Sequence, residues 1–549
     1  MVYLENFKVD ENGTFILPKE EILFSIESLK NDGYELLLDI IAIDYLHLIP
    51  KSQKRFGVVY LLRHLNKEGF ICIKVYVDEN ESLESIAHLY EAANWAEREV
   101  WDQYGIVFEN HPNLKRLLNH HQFKGHPLRK DYPISKGQWC EESDDLMDQM
   151  NQKLKQKKIK TTENLTYLNI GPAHPATHGT IRNLVALEGE SIVTCISEIG
   201  YLHRGFEKAC ENHTYNQIIP YTDRLNYCSA ILNNIGFAHA VEGMLKIQIP
   251  ERGEYLRVII GELSRAIDHL VCLAAILVDM GALTNYWYLY NPREAAYTLL
   301  SKLTGARLTN SYMRVGGMAH DTYDGFENEL EDVLKAIESG VNDTLCLVEH
   351  NRIFHDRTQN VGIMSAQDAL NLGWTGPNLR ASGVAYDVRS NLTYSIYDRF
   401  DFSIPVGSTG DVYDRIMVRF EEITQSLSII RQALKQLPDG SVSIQNPRIT
   451  LPSKQAVYGT IEGLMNQFKL TFEGVHVPKG EYYRAIEGAN GELGFYIVSD
   501  GSGTPYRIKV RPPCFPAMAG YAKLVEGSMI ADAILCLGSL NIVAGELDR

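Results

Sequence analysis

YLRVIIGELSRAIDHLVCLAAILVDMGAL, Tyr255 to Leu283, decides the architecture of most of this chain. Apolar residues cover most of its circumference over about eight helical turns, so it predicts the interior helix of a bundle. Its polar residues are ordered. Glu262, Arg265, His269, Cys272 and Asp279 recur at steps of three, four and seven and share one narrow arc. Asp279 has two readings. A carboxylate among Leu, Val and Met either caps the helix end or pairs with an arginine, or it stands in an apolar wall to tune a neighbour. The run is no membrane span, because its most apolar part, Leu270 to Leu283, is short and interrupted by Asp279.

Outward from this helix the patterns change. Downstream, GELGFYIVSDGSGTPYRIKVRPP alternates Leu493, Phe495 and Ile497 with Tyr506, Ile508 and Val510 around a Gly-rich turn, which predicts a β-hairpin. Upstream, YELLLDIIAIDYL, FGVVYLLRHL and FICIKVYVD read as strands. ESLESIAHLYEAANWAEREVWDQYGI reads as a helix entered through a capping-box-like Ser82-x-x-Ser85. The expected fold class is therefore α+β and multidomain. Residues 1–135 form a small α/β domain, 136–163 a charged linker with almost nothing to bury, and 164–549 a large, mainly helical domain.

Composition narrows the function. Of 549 residues, 45% are hydrophobic and 22% charged, an ordinary globular balance. The formal charge of −16 is spread through mixed-sign sequence and argues against nucleic acid, since the basic stretch KLKQKKIK is short and isolated. The start, MVYLENFKVDENG, turns polar too early for a secretory signal. Nine cysteines include no CxxC pair and read as reduced thiols, so this chain is expected to hold no iron–sulfur cluster and no other metal.

GPAHPATHGTIR, Gly171 to Arg182, sets His174 and His178 four apart, as a helical metal-ligand pair would be. Pro175 would cost about 3 kcal/mol inside a helix and Gly179 about 1 kcal/mol. A turn between the extended segments YLNI and TIRNLVAL fits better. The pair then reads as bland turn histidines, as a proton-handling or ligand-polarising site, or as part of a zinc or iron site whose other ligands nothing fixes. GYLHRGFEKACENHTYNQIIPYTDRLNYCSA interleaves aromatics with charges and reads either as a solvated helix face or as a buried polar lining. GHPLRKDYP, Gly125 to Pro133, reads as an extended arm with Arg129, Lys130 and Asp131 exposed for docking onto a partner.

At this point a family resemblance covers nearly the whole chain. WAEREVWDQYGIVFENHPNLKRLL and FKGHPLRKDYP resemble the C subunit of bacterial NADH:quinone oxidoreductase, respiratory complex I. NIGPAHPATHG, GYLHRGFEK, PYTDRLNY, LVDMGAL, MRVGG, LRASGVAYDVR, FEGVHVPKGE, GELGFYIVSDG and GELDR resemble its D subunit. The resemblance implies a fused C/D subunit whose larger part shares the fold of the nickel–iron hydrogenase large subunit. Hydrogen activation is excluded, because the two CxxC pairs that reaction needs are absent.

It also implies roles. His178 and Tyr227 stand at the quinone headgroup, Asp279 partners the histidine, and His174 lines the same loop. Arg224 lies beside the terminal [4Fe–4S] cluster carried by the neighbouring B subunit. Quinone is the substrate, while NADH and FMN belong elsewhere in the complex. The implied partners are the B, I and H subunits, with membrane contact through them, on the cytoplasmic side of the bacterial inner membrane. Where many relatives carry a histidine near the cluster, this chain has Thr309. The competing expectations are the same quinone module fed by ferredoxin or deazaflavin, and a non-catalytic assembly scaffold.

Overall fold

The computed structural model describes residues 7–10, 13–48, 54–67, 69–141, 143–158, 165–177, 179–392 and 394–549. Its N-terminal part is a five-stranded mixed sheet in the order Lys8–Val9, Phe15–Leu17, Phe70–Val77, Phe56–Arg63, Leu36–Asp44. Within this sheet Phe15–Leu17 and Phe70–Val77 pair in parallel, and the other described pairings are antiparallel. All nine residues of Leu36–Asp44 are buried, because this sheet is covered on both faces. Leu37, Ile40 and Ala42 pack with the sheet's own helices, Ile22–Asn31 and Ala92–Tyr104. Leu36, Leu38, Ile41 and Ile43 enter the core of the larger part instead. The alternation changes phase at a bulge between Leu37 and Asp39, where one extra residue turns the side chains over.

The Ala92–Tyr104 helix starts later than the capping-box reading expects. Ser82–Glu84 is a short strand paired with Val107–Glu109, and Ser85 Oγ donates to Glu97 Oε2 at 2.6 Å. The buried carboxylate of Glu97 also accepts from the Ile86 amide at 2.8 Å, so the segment lies against the helix rather than opening it.

Two further expectations are corrected. The linker reading leaves almost nothing to bury, yet Leu146, Met150 and Leu154 of the helix Leu146–Gln156 are buried against Leu184 and Ala186. Their spacing of four places them on one face, which suffices for a small core within a charged segment. The Gly125–Pro133 arm does not stand free. Lys130 Nζ pairs with Glu211 at 2.9 Å and sits 3.9 Å over the Tyr506 ring, and the Arg129 carbonyl accepts from Lys208 at 2.9 Å. Only Asp131 of the three is exposed, paired with Arg55 at 3.0 Å. The arm docks onto the chain's own larger part.

That larger part is built on the predicted helix, observed at Glu251–Asp279. It packs against Ala230–Leu245, Leu283–Thr304 and Val412–Gln436. The expected hairpin is present, with Phe495 opposite Val510 and Ile497 opposite Ile508. A third strand, Gly480–Gly488, extends it on the other side of Gly491–Ser499. Among the described residues no helix is long and apolar enough to cross a membrane.

Candidate functional site

The polar arc of the central helix resolves into a buried ion-pair seam. Glu262 pairs with Arg265 and Arg389 at 3.1 Å each and accepts from Tyr397 OH at 2.7 Å and Ser426 Oγ at 2.8 Å. These partners hold its carboxyl down at about 2 against the opposing pull of burial. His269 Nε2 lies 2.8 Å from Glu422, which pairs with Arg380 at 2.6 Å. Burial lowers the pKa of His269, and Arg380 together with His269 lowers that of Glu422. Arg380 reaches on to Glu487 at 2.8 Å. These groups are all buried, so the seam cross-ties the bundle rather than facing a ligand. Sequence periodicity picks out Glu262, Arg265 and His269, but not the partners that other helices bring.

Tyr227 is placed differently. It opens a 3-10 turn, Tyr227–Ser229, whose preceding Asn226 accepts from the Cys228 amide at 3.1 Å. Asparagine suits this position because its short amide can satisfy the first free backbone donor. Tyr227 is 38% exposed, unlike the closed seam. Partial burial, then the nearby Cys228, Asp268 and Cys514, pushes its pKa above the usual tyrosine value. A protonated phenol is what a hydrogen-bond and proton donor requires. Burial raises the Cys228 thiol well above its ordinary range, which argues against a thiolate there.

The histidine loop follows the strand Leu165–Ile170 and precedes Arg182–Glu188, as the prolines and Gly179 require. Between them Pro175–Thr177 forms one 3-10 turn, and His174 bridges to Gly179. His174 is exposed, and its Nδ1 accepts from the Ala176 amide at 3.1 Å. His178 lies outside the described residues.

The turn Ala544–Leu547 joins this loop to the tyrosine. A Cβ on Gly179 would meet Ala544 Cβ at 3.3 Å, and one on Gly545 would strike the Arg224 and Leu225 carbonyl oxygens at 2.6 and 2.8 Å. Glycine at 545 thus lets the C-terminal turn lie directly on the backbone leading to Tyr227. Glu546 within that turn is fully buried and accepts from the Cys514 amide at 2.9 Å; burial pushes its carboxyl up to about 7.

Asp279 ends the central helix, half-buried. It lies about 16 Å along the axis from Asp268, the residue at the level of the Tyr227 turn. Arg224 is exposed, and its guanidinium reaches back to the Pro220 carbonyl. Its neighbour Asp223 is buried and held by Asn234 at 2.8 Å and by Ser311, two residues from Thr309. Arg224 and Thr309 therefore share one corner of the molecule. The dense block around them splits between its two readings: Glu207, Asp223 and Asn226 line the interior, whereas Tyr221 and Arg224 face solvent.

Sequence reasoning missed Asn226, Asp268 and Glu546, since asparagine and single acids inside mixed sequence carry no periodic signal. A cavity of about 1090 Å³ opens elsewhere, between the N-terminal domain and the Leu146–Gln156 helix. Of the charges lining it, Arg116 pairs with Asp102 at 2.7 Å and Arg182 with Asp144 at 3.0 Å. It does not contain the tyrosine.

Comparison with known proteins matches two families to separate parts of the chain. Residues 15–138 match the family described as the respiratory-chain NADH dehydrogenase 30 Kd subunit, and residues 279–549 the 49 Kd subunit family. The fused C/D subunit of NADH-quinone oxidoreductase from Bdellovibrio bacteriovorus is 48% identical over 550 residues, covering all of this chain and 97% of that protein. The D 1 subunit of the same enzyme in Sorangium cellulosum is 50% identical over 73% of this chain and all of its own length. The D subunit of Myxococcus xanthus is 50% identical over 70% of this chain and 92% of its own.

Proposed function

Since the chain belongs to the NADH-quinone oxidoreductase subunits that join C and D in one polypeptide, we propose that its Tyr227 corner forms the quinone-headgroup wall of that enzyme. The observation that carries this reading is the exposed Tyr227, set on a turn held by the buried Asn226 and tied through Ala544 and Gly545 to the histidine loop. Quinone reduction takes two electrons and two protons, and negative charge grows on the carbonyl oxygens as electrons arrive. Tyr227 donates a hydrogen bond to one such oxygen and gives up its proton. His178 serves the other oxygen, with Asp279 stabilising its protonated form. His174 lines the loop.

Arg224 faces the terminal [4Fe–4S] cluster of the B subunit, which supplies the electrons. Further contacts are with the I and H subunits, on the cytoplasmic side of the inner membrane. Exposed Tyr458 (89%), Ile461 (75%) and Phe472 (75%) support burial against other subunits, since large apolar groups rarely cluster on a free surface. The helical part is proposed to share the hydrogenase large-subunit fold, a reading supported by its central buried helix.

Tyr227→Phe keeps the ring and removes the hydroxyl. Quinone reductase activity per assembled complex should fall by roughly 10²–10³, while NADH oxidation by an artificial acceptor upstream of the cluster stays near normal. Asp279→Asn should lower turnover less. Unchanged quinone turnover in Tyr227→Phe removes that residue from the site.

A further inference from the structure

Resting on the reading of Tyr227 as the quinone donor, we propose that Asn226 and Asp268 act as a matched positioning pair that aims its phenol. Both are buried, Asn226 at 2% and Asp268 at 0% exposure. Asn226 uses every polar atom of its side chain. Its Oδ1 accepts from the Cys228 amide at 3.1 Å, and its Nδ2 donates to Asp268 Oδ2 at 2.8 Å. Its backbone carbonyl accepts from Asn233 Nδ2 at 2.9 Å. The second oxygen of Asp268 accepts from Asn541 Nδ2 at 2.8 Å. The turn bearing Tyr227 is thus fastened to the central helix by one directional chain, amide to carboxylate.

The polarity of that chain is what makes the pair specific. Asn226→Asp places two carboxylates at hydrogen-bond distance with no proton donor between them. Asp268→Asn leaves one carbonyl oxygen where two amide groups, those of Asn226 and Asn541, need an acceptor. Either change frees the turn or rotates it. The double substitution Asn226→Asp with Asp268→Asn reverses the chain and satisfies it again. The new carboxylate accepts from Cys228 N–H and from the new amide, whose oxygen accepts from Asn541. A matched pair therefore predicts that two damaging changes cancel, which independent contributions to stability would not do.

The experiment uses the whole complex in membranes and five forms of this chain: unmodified, Tyr227→Phe, each single substitution and the swap. Quinone turnover per assembled complex is measured beside artificial-acceptor activity. Each single substitution should lose about 100-fold in quinone turnover, the loss that a misplacement of about 1 Å produces, with the acceptor reaction unchanged. The swap should regain most of it. A swap that assembles and turns over no better than the worse single substitution overturns the pairing. Singles that match the unmodified enzyme also overturn it. Should Tyr227→Phe turn over normally, the reading of the site fails instead, and a swap still recovering the singles would attach the pair to some other group on that turn.

Discussion

Two carboxylates six positions apart on the central helix, Glu262 and Asp268, are both fully buried and are kept in opposite ways. Glu262 is saturated by two guanidinium groups and two hydroxyls. Asp268 accepts from two asparagine amides. The first arrangement neutralises charge and locks helices together. The second places a carboxylate by neutral donors, beneath the turn that carries the tyrosine proposed as quinone donor. Along a single helix the bundle thus holds one carboxylate by charged partners and another by neutral ones.

The largest test of that contrast breaks the seam. Arg389 pairs with Asp387 at 2.8 Å as well as with Glu262, so Arg389→Met leaves both carboxylates short of a partner in the interior. Removing one member of a buried ion pair costs about 3–5 kcal/mol, so the amount of assembled complex should collapse, as judged by native gel. Complex that does form should keep its ratio of quinone to artificial-acceptor activity. A fall in that ratio would make the seam part of the chemistry.

Acidity sharpens the comparison, because the two ends respond with opposite sign. Glu262 has a folded pKa lowered to about 2, so its contribution to stability is present above its unfolded value and lost as pH falls through about 2. Glu546 has a folded pKa raised to about 7. Its contribution is fully present below its unfolded value near 4.5 and is lost as pH rises through about 7. Glu546→Gln should therefore flatten the decline in thermal midpoint between about pH 4.5 and 7 and leave the acid limb unchanged. An unaltered decline over that range would assign it to another group.

The smallest effect is electronic. Thr309→His places a titrating group in the Arg224 corner. On the proposal that Arg224 faces the B subunit's cluster, it should give that cluster's midpoint potential a pH slope near neutrality, up to about 59 mV per unit for a one-electron couple, in an EPR-monitored redox titration. A steep slope already present in the unmodified chain would mean another group holds that role.

What is legible in the sequence follows from periodicity. Glu262, Arg265 and His269 stand out because a helix repeats, and the hairpin because a strand alternates. Their partners Arg380, Arg389 and Glu422 come from segments more than a hundred residues away, and no local pattern links them. The arm Arg129–Asp131 reads as free because its cover, Glu211 and Tyr506, belongs to the other half of the chain. In 136–163 the charges mask a spacing of four in Leu146, Met150 and Leu154 that does carry a burial signal. The likeness to known motifs points to Tyr227; it cannot reveal that the turn beneath it hangs on Asp268.

The strand Leu36–Asp44 carries a consequence in time. One of its faces is covered by helices made within the first hundred or so residues, the other by the core of the larger part. Arg511, which donates to the Leu38 carbonyl at 3.3 Å, leaves the ribosome roughly half a minute to a minute and a half after that strand, at about 5–20 residues per second. Until the larger part emerges, Leu36, Leu38, Ile41 and Ile43 present an apolar sheet face that the helices of the N-terminal sheet do not cover. Carrying both halves on one polypeptide sets a limit to the wait, since the covering surface arrives tethered to the strand that needs it and at a high local concentration.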